Sequence, residues 1–185
     1  MIDVNQLRRG TAFTQDGDLF KVQEYEHRKP GRGKATIKVS VKNMRTGSIT
    51  YMTFTSGDRV EDVSFDKRQV QYLYDDGDNY VFMDGTTYDQ SFVAHQVFGD
   101  DNVFLIENLE LELLFFGQEV LDYILPKSME FDVEWAENAV AGDTSSGATK
   151  EVRTETGLSV RTPLFVKQGD RIKVNTETKS YITRV

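Results

Sequence analysis

Thr36-Ile37-Lys38-Val39-Ser40-Val41-Lys42 is the stretch whose reading decides the fold. Apolar and polar residues alternate along it at a period of two, as in a strand with one face in a core and the other in water. Outward toward the N-terminus, Asp18 to His27 and Thr11 to Gln15 flank Asp16-Gly17, a strong two-residue hairpin signal. Toward the C-terminus, Thr46-Gly47 turns the chain into Ser48 to Thr55. These segments predict a small antiparallel barrel that closes near residue 60, with the charged run Asp58 to Asp62 at its boundary.

Between the first two long strands lies His27-Arg28-Lys29-Pro30-Gly31-Arg32-Gly33-Lys34-Ala35. Gly31 and Gly33 permit positive φ and carry no Cβ, so the backbone can turn sharply and approach another molecule closely. Pro30 stiffens the way in. Arg32 is thereby held between two glycines at the end of a hairpin, and from His27 to Arg45 the charges are Arg28, Lys29, Arg32, Lys34, Lys38, Lys42 and Arg45, with no Asp or Glu among them.

The rest of the chain is also short and β-like. Gln69 to Tyr74 and Tyr80 to Met83 flank the turn Asp75-Asp76-Gly77-Asp78. Phe92 to Glu107 is the one predicted helical zone, interrupted at Gly99, and Glu110 to Phe116 with Glu119 to Leu125 forms a hairpin around Gly117-Gln118. After Pro126-Lys127 come Met129 to Ala136, a Gly/Ser/Thr/Ala-rich loop from Asn138 to Lys150, then Val152 to Thr156, Ser159 to Val166, Arg171 to Asn175 and Tyr181 to Arg184. About five short strands per segment of roughly 60 residues is what a small Greek-key barrel such as an OB-fold requires. The punctuation predicts three domains, residues 1–62, 63–126 and 127–185.

The 185 residues carry a net charge of −8, spread very unevenly. Residues 1–60 hold 11 Lys and Arg against 6 Asp and Glu, residues 61–126 hold 2 against 15, and residues 127–185 hold 9 of each. A net of +5 beside −13 argues for an anionic partner such as phosphate at the N-terminal end and for its repulsion from the middle. The absence of cysteine excludes disulfides, thiol chemistry and cysteine metal sites. Only His27 and His95 occur, and no phosphate-cradling loop or His-Glu-x-x-His motif is present, so enzyme, cofactor and metal readings have little to stand on. Asp75, Asp76 and Asp78 lack the spacing of a calcium loop, and a solvated acidic face explains the middle carboxylates better than an acid/base pair. The N-terminal residues have no basic and apolar leader pattern, and the apolar runs fall far short of the 18 or so residues of a membrane span, so a cytoplasmic protein is expected. Tyr72, Tyr74, Tyr80 and Phe82 have strand spacing in an acidic setting, which predicts core packing rather than a base-stacking platform.

Four places in order resemble the bacterial translation elongation factor P family, and the resemblance spans essentially the whole chain. They are Lys29-Pro30-Gly31-Arg32-Gly33; Tyr72-Leu73-Tyr74 with Val81-Phe82-Met83-Asp84; Gly142-Asp143-Thr144 with Gly147 and Lys150; and Gly157, Val160, Pro163, Leu164-Phe165-Val166 and Gly169 continued by Ile172-Lys173-Val174-Asn175-Thr176. Val152, Thr162 and Asn175 depart from the usual residues, and the tip is arginine where the best-known members have lysine. It is therefore similar to the arginine-tipped branch.

The resemblance implies an all-β protein of three small β-barrels in tandem, an SH3-like or KOW-like N-terminal barrel followed by two OB-folds, in an elongated L-shape. It implies a non-catalytic, monomeric factor without cofactors that binds both ribosomal subunits beside the peptidyl-site tRNA and relieves stalling at consecutive prolines. Pro30, Gly31, Arg32 and Gly33 would form the tip near the peptidyl transferase centre. Arg28, Lys29, Lys34 and Lys38, with the loop residues Gly142, Asp143, Thr144 and Gly147, would contact RNA. Arg32 stays protonated at any physiological pH, so its role is positional or electrostatic rather than that of a base. We expect the tip to be unmodified; the alternative adds a modifying enzyme acting on Arg32 to the partners. The rival readings are an elongation-factor-P-like paralogue and a general single-stranded nucleic-acid-binding OB-fold protein.

Overall fold

The computed structural model describes residues 1–29, 33, 35–138 and 148–185, which form three antiparallel sheets. In the first part of the chain the strands are β1 (Ile2–Asp3), β2 (Ala12–Gln15), β3 (Asp18–Arg28), β4 (Thr36–Asn43), β5 (Ile49–Thr55) and β6 (Arg59–Asp62), in the order β1-β6-β2-β3-β4-β5. The register Gln15↔Asp18 leaves two residues, Asp16 and Gly17, in the β2–β3 turn, with φ of 53° and 86°. Positive φ at both positions matches the right-handed twist of the flanking strands, and the Asp-Gly pair supplies it with little strain.

The alternation predicted for residues 36–42 is observed. Ile37, Val39 and Val41 are fully buried and pack with Val4, Leu7, Phe13, Phe20, Val22 and Val60, while Lys38 and Lys42 stay on the other face. The charged run at 58–62, read as a boundary, contains β6, which pairs with both β1 and β2. Its single buried residue, Val60, was too little pattern to announce a strand.

The second sheet contains β7 (Asp66–Asp75), β8 (Asn79–Asp84), β9 (Gln90–Ala94), β10 (Glu110–Phe116) and β11 (Glu119–Ile124), in the order β11-β10-β7-β8-β9. The helical zone predicted over 92–107 is corrected at both ends. Phe92 to Ala94 belong to β9, paired with β8 through Val81↔Phe92 and Tyr80↔Val93; a four-residue helix α1 (His95–Phe98) and a 3-10 segment (Gly99–Phe104) follow, ending before Glu107. Gly99 adopts φ of 51°, which separates the two helical pieces. Phe98 stacks between Phe82 and Tyr123, with centroids 5.5 Å and 4.1 Å away.

The third sheet contains β12 (Ser128–Ala136), β13 (Thr149–Thr154), β14 (Ser159–Pro163), β15 (Arg171–Asn175) and β16 (Ser180–Arg184), in the order β14-β13-β12-β15-β16. Met129, Phe131 and Val133 are the buried residues of β12; Met129 pairs with buried Val174 and Phe131 with buried Ile172, and the buried Val152 and Val160 pair with each other. By contact the chain forms two compact units: residues 1–67 with 114–122, and residues 68–113 with 123–185.

Candidate nucleic-acid interface

β3 has 11 residues and β4 has 8, and their pairing runs as far as Arg28↔Thr36, where residues 29–35 join them. Antiparallel pairing at this length needs long apolar alternation, which Val22, Tyr25, Ile37, Val39 and Val41 provide on the inner face. The outer face is set by the same register. On β3 it carries Glu24, Glu26 and Arg28; on β4, Thr36, Lys38, Ser40 and Lys42; on β5, Ile49, Tyr51, Thr53 and Thr55.

Arg28 is exposed and donates from Nε to Glu26 Oε1 at 2.8 Å. That hydrogen bond, and then the charge of Glu26, hold the guanidinium pKa above its ordinary value, so Arg28 remains a cation under all conditions of interest. Lys38 stands directly across from Glu26, and its Nζ lies over the Tyr51 ring, 5.3 Å from the centroid. Glu24, Tyr25, Glu26, Lys38, Ser40 and Tyr51 line a shallow cleft of about 340 Å³. Lys29 is exposed.

Gly33 is exposed at φ of 105°, and a Cβ built there would meet nothing within 4 Å. Glycine is therefore required at this position by backbone conformation, not by lack of space. Pro30, Gly31, Arg32 and Lys34 of the expected tip, and Gly142, Asp143, Thr144 and Gly147 of the expected second RNA-binding loop, lie outside the described residues.

Sequence reasoning missed Tyr51 and Glu26 as parts of this face. Alternation was the available signal: with Met52 and Phe54 inward, Tyr51 must face outward with Lys38.

The middle carboxylates have local work. Asp75 Oδ1 accepts from the Gly77 amide at 2.9 Å, Asp76 Oδ1 from those of Asp78 and Asn79 at 2.9 and 2.7 Å, and Asp84 Oδ1 from those of Thr86 and Thr87 at 2.7 and 3.0 Å. Such side-chain caps hold tight turns. They keep the Asp84 carboxyl below its usual range, and that of Asp75 as well, with His95 contributing a second hydrogen bond to Asp75. Tyr72, Tyr80 and Phe82 are buried; Tyr74, by contrast, is half exposed, because the β7–β8 register shifts between Tyr72 and Tyr74. Among the described residues no cluster of His, Cys, Asp and Glu could hold a metal ion, and no helix is long and apolar enough to cross a membrane.

A cation-bearing hairpin sheet followed by two five-stranded sheets defines an all-β protein built from KOW-like and OB modules, and comparison with known proteins assigns each part. Residues 3–60 match the elongation factor P (EF-P) KOW-like domain, residues 65–123 the elongation factor P (EF-P) OB domain, and residues 129–184 the family's C-terminal region, "Elongation factor P, C-terminal". Elongation factor P of Mycoplasma mobile is 40% identical over 182 residues, 98% of this chain and 97% of the relative. That of Limosilactobacillus reuteri is 39% identical over the full length of both, and that of a Nocardioides species 40% identical over 100% of this chain and 99% of the relative. The chain belongs to the elongation factor P family and is a non-catalytic translation elongation factor. Among solved structures, eukaryotic translation initiation factor 5A from Methanococcus jannaschii shares the fold with a TM-score of 0.54, at 23% identity over 66% of this chain and 92% of that one.

Proposed function

We propose that this factor binds the ribosome beside the peptidyl-site tRNA and stimulates peptide-bond formation at consecutive prolines, with Arg32 at the tip near the peptidyl transferase centre. The observation that carries the reading is the long β3–β4 hairpin, whose pairing continues to Arg28↔Thr36 and whose joining residues include Arg32. A guanidinium brought to a tRNA terminus presents a planar fork of donors to phosphate and ribose oxygens. It takes no proton from the amine. Restricting the motion of a poorly reactive prolyl ester raises the fraction of time the reactants are aligned.

Pro30, Gly31 and Gly33 would shape this tip, while Arg28, Lys29, Lys34 and Lys38 contact the tRNA backbone, which positions the protein without reading sequence. Gly142, Asp143, Thr144 and Gly147 would contact RNA toward the small subunit. We read each sheet as the wall of a small barrel, three in tandem, with domains at 1–62, 63–126 and 127–185. On this reading the protein acts as a cytoplasmic monomer. The burial of Tyr72, Tyr80 and Phe82 weighs against a general single-strand binder, which needs exposed stacking faces.

The test is Arg32→Ala in a reconstituted system translating a Pro-Pro-Pro reporter. On this reading the tip packs against nothing, so melting should change by less than about 0.5 kcal/mol, and relief of stalling should be lost. Relief at the wild-type rate would remove Arg32 from the mechanism.

A further inference from the structure

The outer face of the β3–β4 hairpin carries two carboxylates among its cations. Glu26 accepts from Arg28 Nε at 2.8 Å on its own strand and faces Lys38 directly across the ladder. Opposed residues in such a ladder have Cβ atoms about 4.5–5.5 Å apart, close enough for their charges to interact. One carboxylate therefore neighbours two cations that the proposed function gives to RNA phosphates. Arg28 and Glu26 keep 73% and 52% of their side chains exposed, so the pair is open to water and to exchange with another anion. Like phosphate, a carboxylate offers oxygen acceptors that suit guanidinium geometry.

We propose that Glu26 is an internal phosphate mimic that occupies Arg28 in the free protein and yields to an RNA phosphate in the docked complex. It thereby discriminates between the ribosomal site and free RNA. A loose contact that gains one arginine–phosphate pair gives up one arginine–carboxylate pair, and the net is close to zero. Docking along the whole hairpin adds contacts for which nothing is given up, so ribosome binding is little affected. This rests on the reading of Arg28 and Lys38 as phosphate contacts.

The experiment compares binding of the full chain to a short unstructured RNA oligonucleotide of mixed sequence and to ribosomes carrying peptidyl-tRNA. Glu26→Gln should tighten the oligonucleotide complex about two- to fivefold, the range for releasing an exposed pair, with a smaller change for ribosomes. Its salt dependence should steepen, since one more cation is free to displace counterions. Glu24→Gln makes the same charge change two residues away, opposite Ser40, and should do less. In an Arg28→Ala background the Glu26→Gln gain should shrink to the smaller part that the facing Lys38 supplies. The proposal is overturned if Glu26→Gln does not tighten oligonucleotide binding, if it tightens both ligands equally, if Glu24→Gln matches it, or if the gain is undiminished without Arg28. Should Arg28→Ala and Lys38→Ala leave both ligands bound as before, the phosphate reading of this face is itself wrong, a separate failure that removes the proposal with it.

Discussion

Lys21 and Asp122, 101 residues apart in sequence, meet in an ion pair whose side chains are only 31% and 15% exposed. Arg45 Nε and Glu119 Oε2 form a second, more exposed pair at 3.3 Å. Both join the first sheet to residues 114–122 within one compact unit. Exposed pairs contribute about 0–1 kcal/mol, and breaking a buried one costs about 3–5 kcal/mol. Asp122→Ala should fall between, at about 1–2 kcal/mol by urea denaturation, whereas Glu119→Ala should cost less than about 1 kcal/mol. The reverse ranking would show that burial does not govern these two contacts.

Phe98, on α1, lies nearly parallel to Phe82 and Tyr123 and edge-on to Tyr80 at 5.6 Å. Phe98→Ala should cost about 3–5 kcal/mol, through lost burial and the cavity left behind. Phe98→Leu should recover a good part of that. Thermal melting of the two variants checks the order.

Acid stability should depend on the turn-capping aspartates. The folded carboxyl pKa values of Asp84 and Asp75 lie below their ordinary value. Their contribution is therefore complete above the unfolded value of about 4, and is lost as pH falls from there through the lower folded values. Asp84→Asn should flatten the fall in stability between neutral pH and strong acid. Chemical denaturation repeated across that range measures it, and an unchanged acid limb would remove Asp84 as a contributor.

Charge placement gives a prediction about the partner. Lys29→Glu with Lys34→Glu should weaken ribosome binding and flatten its dependence on salt, because each lost phosphate contact reduces counterion release. The same reversal at Lys67 and Arg68, beside the acidic middle of the sequence, should do less. Equal effects in a salt titration would mean that the N-terminal hairpin does not carry the RNA contact.

Local chemistry was readable from the sequence by itself wherever one short segment held the whole signal. Ile37, Val39 and Val41 declared the inner face of β4, and Asp16-Gly17 declared the β2–β3 turn, because side-chain period and positive φ are properties of a few consecutive residues. The basic run around Arg32 is likewise a local feature of composition, and the proposed RNA contact starts from it. Long-range pairing was decided only by the tertiary structure. β1 and β6 are strands because Ile2 finds Val60, and Phe92 to Ala94 are β rather than helical because β8 offers them a partner edge. Tyr74 left the core because a register shift beside Tyr72 breaks the alternation that would have placed the two on one face. Glu26 became a neighbour of Lys38, and Lys21 of Asp122, by the same means. A pairing partner far along the chain leaves no mark on the local pattern, and its choice is made by the packing of the whole.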